Sequence, residues 1–365
     1  MNHAFKMTAA AGVTALGLLA APTAAMSAQT LTIVSWGGAY EHSQEEAYYK
    51  PYEKMTGTKI VQVSKSANGP AGIKAQVEAG NVTWDVVDML EGPAIKACDE
   101  GIIEPLDTAN LLKPAPNGDS ATKDFIPKLR DCFAPEILYA TLWAYNTDMF
   151  KGEQPDSIKD VYNTSKYPGK RAMQKIPAGN LEWALYADGV PIDKLYDVLG
   201  TEDGVNRAFK KLNELKSKAV WWSEGAQPPQ LLADKEVAFA TGYNGRFFNA
   251  RVVENQPIKA IWDGQLFEVD GWVVPKGKLT DNVKDFLRFS TDTQRLADQA
   301  KYISYGPARH SSAKLVGNFK DTDISMKPYM PTNPKNLKTA IAKDPNFWAD
   351  HGDSLAERFN AWLAL

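Results

Sequence analysis

Apolar and polar positions along the first part of the chain switch repeatedly between a strand-like period and a helical period. Glycine or proline stands at most of these changes, as is typical of turns between elements. The order β-α-β-α-β-α predicts a parallel sheet with helices on both faces. The predicted strands are Leu31–Trp36, Lys59–Val63 and Asp85–Met89, and the predicted helices are Glu41–Met55, Gly69–Ala79 and one that starts at Gly92.

A long strand-like segment interrupts this order at Ile137–Asn146, and a second α/β unit follows it. Its predicted strands are Arg171–Gln174, Ala219–Trp222 and Val237–Thr241. Its predicted helices start at Asn180 and cover Gly204–Lys218, Gly225–Ala233 and Asn244–Glu254. Phe267–Val274 is a second strand-like crossing, and helices at Asp281–Ser290 and Thr293–Ala300 follow it.

Two crossings predict two lobes, each built from separated pieces of chain. We expect residues 29–143 plus 271–312 to form lobe 1 and residues 144–270 plus 313–365 to form lobe 2. A chain of this length exceeds what one hydrophobic core usually holds. The double connection is expected to act as a hinge, with a small-molecule cleft between the lobes.

Residues 1–28 have the order of a secretory signal peptide. His3 and Lys6 precede an apolar run from Met7 to Ala21, and small residues follow up to Ala28. The apolar run is shorter than the about 20 residues that a membrane-spanning helix needs. We therefore expect a soluble periplasmic protein that begins near Gln29, with cleavage after Ala25 as the alternative.

Composition and charge exclude several classes of function. A net charge of -3 with dispersed basic residues argues against binding to nucleic acid. The four histidines are scattered without metal-ligand spacing, so we expect no metal and no cofactor. Neither a nucleophile elbow nor a phosphate-binding loop occurs, which makes an enzyme a remote alternative.

Cys98 and Cys132 are the two cysteines of the chain, and both lie in the part expected to be exported. An oxidising compartment favours a disulfide between them, and two buried free thiols are the alternative. In the chain-entropy model, closing a loop of this length contributes about 4 kcal/mol to stability.

Several local sequences occur in an order that resembles the extracellular solute-binding proteins of family 1, the spermidine/putrescine-binding type. They are Trp36-Gly37-Gly38 with Pro51-Tyr52-Glu53, Trp84-Asp85-Val86-Val87, Gly101-Ile102-Ile103-Glu104-Pro105-Leu106-Asp107, Trp143-Ala144-Tyr145-Asn146-Thr147-Asp148, Trp221-Trp222-Ser223 and Tyr243-Asn244-Gly245-Arg246. The resemblance implies a type II periplasmic-binding-protein fold, an α/β fold with two doubly wound lobes joined by a two-crossing hinge. It also implies a monomeric receptor that closes on a polyamine and docks to an ABC permease in the inner membrane.

The first lobe supplies aromatic and acidic candidates for ligand binding. Trp36 and Tyr40 follow the first strand, on the side where ligands enter α/β sheets, and the resemblance assigns an aromatic wall to this position. Glu91 follows the third main strand and is expected to pair with a cation. Asp88 is a second candidate, with capping of the helix near Pro93 as its alternative.

The first crossing and the second lobe supply further candidates. Trp143 and Tyr145 are expected to face opposite sides of the crossing, with Trp143 in the cleft. The resemblance assigns a ligand contact to Glu182, although a Glu in the first turn of a helix also favours the helix dipole. Trp222 and Ser223 end a strand and are expected to line the cleft. The resemblance also assigns an aromatic contact to Tyr243.

Asp270, on the second crossing, matches a carboxylate that the resemblance assigns to the ligand amine. Two residues earlier the resemblance places an aromatic residue, whereas this chain has Glu268, so we expect a more acidic or differently sized pocket. Arg246 either pairs with an internal carboxylate or faces the cleft.

The ligand is left open between a polyamine and, as the alternative, a zwitterion such as γ-aminobutyrate or another ω-amino acid, or a quaternary amine. The side taken by Arg246 is expected to decide between a pure cation and a zwitterion. A guanidinium in the cleft repels a pure cation but binds a carboxylate in a bidentate manner. Gly179 and Asn180 replace an additional carboxylate of the resembled type, which argues against a long polyamine. A sugar is a further alternative, because tryptophan and tyrosine also stack on sugar faces.

Overall fold

The computed structural model describes residues 1, 29–64 and 69–364, so the expected signal peptide lies outside the described residues. The strands are β1 (Thr30–Ser35), β2 (Lys59–Ser64), β3 (Val86–Leu90), β4 (Ala134–Asn146), β5 (Arg171–Gln174), β6 (Ala219–Trp222), β7 (Phe239–Tyr243), β8 (Ile258–Val273), β9 (Gly306–Pro307) and β10 (Ile341–Ala342).

The helices of the first half are α1 (Gly38–Gln44), α2 (Lys50–Thr56), α3 (Gly69–Glu78), α4 (Glu91–Asp99), α5 (Thr108–Leu111), α6 (Ala121–Asp124), α7 (Ile158–Tyr162) and α8 (Asn180–Ala187). Those of the second half are α9 (Leu195–Leu199), α10 (Glu202–Lys216), α11 (Gln227–Ala233), α12 (Asn244–Phe248), α13 (Asp281–Ser290), α14 (Thr293–Gln299), α15 (His310–Leu315), α16 (Pro334–Leu337) and α17 (Pro345–Ala364). Among the described residues, no helix is long and apolar enough to cross a membrane.

Two long antiparallel strands, β4 and β8, join two groups of parallel strands. The strand order is β2-β1-β3-β8-β4-β7-β5-β6, with β10 paired to β8 and β9 paired to β4. β1 is parallel to β2 and β3, and β5 is parallel to β6 and β7. The crossings and the α/β rhythm are therefore present as predicted, and the fold is the two-lobed type II arrangement.

The second crossing begins earlier than predicted. β8 spans Ile258–Val273 instead of starting at Phe267, because its first half pairs with the end of β4, where Asn146 lies opposite Ile258. The predicted helix Glu41–Met55 also differs, since a π-helical turn at Glu45–Tyr49 separates α1 from α2. This turn allows the adjacent residues Tyr48 and Tyr49 both to be buried.

The apolar side chains form separate cores on the two sides of the crossings. One core combines residues from 31–138 with residues from 269–308. A second core combines residues from 143–266 with residues from 341–362. The exact lobe boundaries at residues 143/144, 270/271 and 312/313 stay a prediction, because β4 and β8 run from one core into the other.

A disulfide bond joins Cys98, in α4, to Cys132, just before β4. Their Cα atoms are 6.0 Å apart. Both cysteines belong to or pack against the first core. The predicted disulfide is therefore confirmed, and it ties a helix of this core to the start of the first crossing.

Candidate functional site

Two carboxyl groups, those of Asp88 on β3 and Asp270 on β8, face each other inside the protein. The strands are antiparallel neighbours, in which Leu90 lies opposite Asp270. Asp88 is fully buried and Asp270 is 5% exposed. Burial raises the pKa of Asp88 to about 6. Burial and the neighbouring Asp88 raise the pKa of Asp270 well above its ordinary value, so this pair favours a proton or a bound cation.

The surroundings of Asp88 leave one of its oxygens free for a further donor. Gln44 Nε2 donates to Asp88 Oδ2 at 2.6 Å. Asp88 Oδ1 is buried and accepts no hydrogen bond from any described residue. Buried acceptors are normally satisfied, so this oxygen is a candidate acceptor for a further donor. The alternative role of Asp88 is not observed, because α4 begins after Leu90 without a side-chain cap.

Glu136, on β4, adds a third buried carboxyl group that the sequence analysis missed. Its oxygens accept hydrogen bonds from Tyr40 Oη at 3.2 Å, Gln44 Nε2 at 2.9 Å and Gln299 Nε2 at 2.7 Å. Burial and the charge of Asp88 raise the pKa of Glu136. A glutamate within the otherwise largely apolar run of β4 is the sequence signal that indicates it.

A tight turn after β1 brings two aromatic residues close to the Asp88–Asp270 pair. Gly37 and Gly38 have φ values of 77° and 61°, which favour glycine. Trp36 precedes the turn and is 38% exposed, and its indole opposes the rise in the pKa of Asp88. Tyr40 follows it and is 8% exposed. The structure therefore brings Trp36 and Tyr40 together with the Asp88–Asp270 pair.

Aromatic rings continue from this pair across the two crossings into the second lobe. Ring centroids are 5.7 Å apart for Tyr40 and Tyr305, 6.0 Å for Tyr305 and Tyr139, and 6.0 Å for Tyr139 and Tyr243. The ring centroid of Trp222 is 6.1 Å from that of Tyr243. We call Tyr40, Tyr305, Tyr139 and Tyr243 the tyrosine row. Tyr139 and Tyr305 were not predicted as ligand candidates from the sequence.

Arg246 lies in α12, which begins directly after Tyr243, the last ring of the tyrosine row. Its side chain is exposed, and no described residue forms a hydrogen bond or an ion pair with it. Burial raises the pKa of Tyr305 to about 12, and the positive charge of Arg246 opposes this shift. The charge of Arg246 also opposes the rise in the pKa of Tyr243. The guanidinium therefore stands near the row, and the expected internal ion pair is not formed within the described part of the chain.

Three other carboxylates already have partners. Glu91 accepts a hydrogen bond and forms an ion pair with Arg130. Glu268 forms an ion pair with Lys343 at 2.9 Å. The pocket is therefore not made more acidic by Glu268, since the lysine balances its charge.

Glu182 is the third of these carboxylates, and it lies in the interior of the second lobe. It is fully buried and accepts hydrogen bonds from the Gly179 amide at 2.7 Å, Tyr196 Oη at 3.0 Å and Trp348 Nε1 at 2.9 Å. Burial raises its pKa. These contacts correct the expectation of a ligand role, because the residue caps α8 and ties it to α17.

Trp143 and Tyr145 are both buried in the second core. Trp143 packs on Trp183 with ring centroids 5.7 Å apart, and Tyr145 packs on Phe150 at 5.9 Å. Residues two apart on a strand project to the same face, so the expectation that they face opposite sides is wrong. The structure does not bring Trp143 to the tyrosine row.

Trp222 and Ser223 differ in their surroundings although they are adjacent. Trp222 is buried, and its Nε1 donates to Thr241 Oγ1 at 3.0 Å. Ser223 is exposed, and its amide donates to Gln227 Oε1 at 3.1 Å. Trp222 therefore supports the end of the row, whereas Ser223 belongs to the turn before α11.

A groove of about 890 Å³ opens between the lobes at the edge of β8. Its walls include residues 90–93, 96–97, 126–128 and 130 on one side and residues 342–346 and 348–349 on the other, and Glu268 also lines it. Among the described residues, β3 ends opposite Asp270 and β10 begins opposite Leu266, which leaves this edge open. Its Glu91 and Glu268 are already paired, with Arg130 and Lys343.

Comparison with known proteins identifies relatives over nearly the whole chain. Residues 47–332 match the family described as bacterial extracellular solute-binding protein. The gamma-aminobutyric acid-binding protein of Pseudomonas aeruginosa is 37% identical over 351 residues, which cover 95% of each chain. A solved structure described as the Atu4243-GABA receptor is 33% identical with a TM-score of 0.75, over 92% of this chain and 98% of its own.

A polyamine receptor is among the more distant structural matches. The spermidine/putrescine substrate-binding protein PotD of Streptococcus pneumoniae has a TM-score of 0.70 and 16% identity, over 92% of this chain and 99% of its own. An identity this low supports a shared fold alone. The resemblance found in the sequence therefore holds for the solute-binding family and the fold, and the relatives do not support its polyamine-binding type.

Proposed function

Because the chain belongs to the family of bacterial extracellular solute-binding proteins, we propose that its ligand is a small ω-amino acid, of which γ-aminobutyrate is the best candidate. The protein is a solute-binding receptor of an ABC importer. We further propose that it works in the periplasm after removal of residues 1–28, and that a permease of the inner membrane receives its ligand.

The observation that carries this proposal is the presence of opposite charges beside the tyrosine row. Asp88 and Asp270 form a buried acidic pair with an unsatisfied oxygen next to Tyr40. The guanidinium of Arg246, whose charge acts on Tyr305 and Tyr243, has no partner among the described residues. An ammonium group at the acidic pair and a carboxylate at Arg246 would satisfy both groups at once.

The tyrosine row suits the apolar chain between the two charged groups of such a ligand. Tyr139 and Tyr305 offer ring surface for its methylene groups, and an ammonium near Tyr40 or Trp36 gains about 0.5–2 kcal/mol from a ring face. The relatives support the same class, because both the Pseudomonas aeruginosa protein and the solved receptor are described as binding γ-aminobutyrate.

A polyamine is the second candidate, and the charges favour it less. It carries two or more ammonium groups, each of which needs a carboxylate. Glu91, Glu182 and Glu268 are occupied by Arg130, by neutral donors and by Lys343. Arg246 also repels a cation. Glu136 likewise accepts hydrogen bonds from three neutral donors, which leaves the Asp88–Asp270 pair as the position for a single ammonium group.

Closure of the lobes on the ligand is expected because the acidic pair and Arg246 lie on different parts of the fold. Asp88 lies on β3 of the first lobe, Asp270 lies on the part of β8 that pairs with β3, and Arg246 lies on α12 of the second lobe. A ligand that binds both groups favours the closed arrangement over the open one by its contacts with both lobes. β4 and β8 would act as the hinge. Small-angle scattering with saturating γ-aminobutyrate should show a smaller radius of gyration.

The deciding experiment is calorimetric titration with four ligands. γ-Aminobutyrate carries both charges, butylamine and butyrate carry one each, and putrescine carries two positive charges. We expect γ-aminobutyrate to bind more tightly than the other three. Tight binding of putrescine without binding of γ-aminobutyrate would overturn the proposal.

A pair of variants separates the role of Arg246 from a general effect of charge. Arg246→Gln is expected to weaken γ-aminobutyrate binding about 10- to 100-fold, because it removes charge-assisted hydrogen bonds. Lys210→Gln, on the exposed side of α10, removes the same charge and serves as the control. Equal effects of the two changes would exclude a contact between Arg246 and the ligand.

A further inference from the structure

Glu268 lies beside the acidic pair, on the same face of β8. Side chains two residues apart on a strand point to the same face, so Glu268 and Asp270 do so. Glu268 is opposite Tyr139 in the pairing of β4 with β8. Its charge also acts on Tyr243, the next ring of the tyrosine row. Glu268 is therefore a further carboxylate along the row, in addition to those near Tyr40.

Lys343 neutralises this carboxylate from the second lobe. Its Nζ lies 2.9 Å from Glu268 Oε2, and the two side chains are 21% and 20% exposed. Its backbone amide donates to the Phe267 carbonyl at 3.1 Å, directly after β10 pairs with β8. The backbone pairing thus holds the lysine next to Glu268, and the ion pair is partly shielded from water.

We propose that Lys343 determines the specificity of the site by occupying Glu268, so that the cleft accepts ligands with one ammonium group and rejects diamines. This inference rests on the proposed function and refines its ligand class. Without the lysine, Glu268 and Asp270 would form two anionic positions about 6.6 Å apart along the strand. A diamine with a four-carbon chain can span this distance.

The physical basis is the cost of leaving a partly buried charge without a partner. Loss of Lys343 leaves Glu268 as an uncompensated carboxylate beside aromatic rings. An ammonium group then restores the lost pairing. In the native protein the same ammonium group would have to compete with the lysine, which is attached to the chain and needs no separate binding step.

The test compares Lys343→Met with Lys338→Met, an exposed lysine of the same lobe for which no ion pair is found among the described residues. Putrescine and γ-aminobutyrate are titrated into each variant by calorimetry. We expect Lys343→Met to gain about 10- to 100-fold in putrescine affinity, as one charge-assisted hydrogen bond provides. Lys338→Met and Lys343→Arg should behave like the native protein.

The double variant Lys343→Met with Glu268→Gln identifies the source of the gain. It should return putrescine affinity to the native level, because the freed carboxylate is gone. A folded Lys343→Met protein without any gain in putrescine affinity overturns the inference, as does a gain that persists in the double variant. Lys343→Gln removes the same charge with a polar side chain and is measured as a second variant, so that the test does not depend on the folding of Lys343→Met.

Failure of the inference is distinguishable from failure of the proposed function. Native protein that binds γ-aminobutyrate while Lys343→Met gains no putrescine affinity leaves the proposed function intact. Native protein that does not bind γ-aminobutyrate contradicts the proposed function, and the putrescine comparison still decides whether Lys343 controls Glu268.

Discussion

Asp88 and Asp270 sit on adjacent antiparallel strands with their carboxyl groups facing each other, and both are buried. Two like charges at such a place are costly unless a cation joins them or a proton is retained. The Asp88 oxygen without a hydrogen-bond partner lies at this pair. The ligand amine and the proton are therefore expected to compete for one position.

Replacement of Asp270 should weaken binding without weakening the fold. Asp270→Asn removes one of the two carboxylates, and we expect about 10- to 100-fold lower affinity for γ-aminobutyrate by calorimetry. The free energy of unfolding should not fall, because a neutral amide replaces a carboxyl group that burial already disfavours as an anion. Asp281→Asn, at a side chain that is 98% exposed, is the matched control.

Affinity should rise with pH through about 6. Burial raises the pKa of Asp88 to about 6, so below this pH a proton holds the position that the ammonium group needs. Binding then releases protons, which titrations in buffers of different ionisation enthalpy measure directly. An affinity that stays constant from pH 5 to pH 7.5 would argue against an Asp88 contact.

The stability of the unliganded protein should fall as pH rises from 4 to 6, whereas the ligand affinity should rise. The pKa of Asp88 is higher in the folded state than the about 3.9 of an unfolded Asp, so the native state binds more protons between pH 4 and 6. The contribution of Asp88 is present below this window and is lost as pH rises through it. Urea unfolding with and without ligand at several pH values separates the two effects.

Glu182 should matter for stability and not for the ligand. Glu182→Ala leaves the donors of Gly179, Tyr196 and Trp348 without their acceptor, and we expect a loss of about 2–4 kcal/mol in the free energy of unfolding. Glu182→Gln keeps one acceptor oxygen and should lose less. A folded Glu182→Gln protein with strongly reduced affinity would restore the ligand role expected from the sequence.

Loss of the disulfide should lower stability with little effect on binding. Replacing Cys98 and Cys132 by Ser removes a constraint worth about 4 kcal/mol in the chain-entropy model. The bridge lies within the first core and does not touch the tyrosine row, so the affinity of the folded protein should stay the same. Chemical unfolding and calorimetry of the double variant measure the two quantities.

The order of elements and several of their bounds follow from the sequence alone. β5, β6 and α13 begin and end where the periodicity predicts, because each is a short segment with clear turn residues beside it. The two crossings and the disulfide were also predicted. Asp270, Trp36, Tyr40 and Tyr243 were found as candidates because they stand at strand ends or match the resembled type.

The pairing of charges was decided by the tertiary structure. Glu91 meets Arg130, Glu268 meets Lys343 75 positions away, and Glu182 meets Trp348 166 positions away. Local periodicity reports which face a residue takes on its own element, but not which distant side chain packs against it. For this reason the sequence suggested an acidic cleft, whereas the folded chain leaves the buried Asp88–Asp270 pair and an arginine without a described partner beside a row of tyrosines.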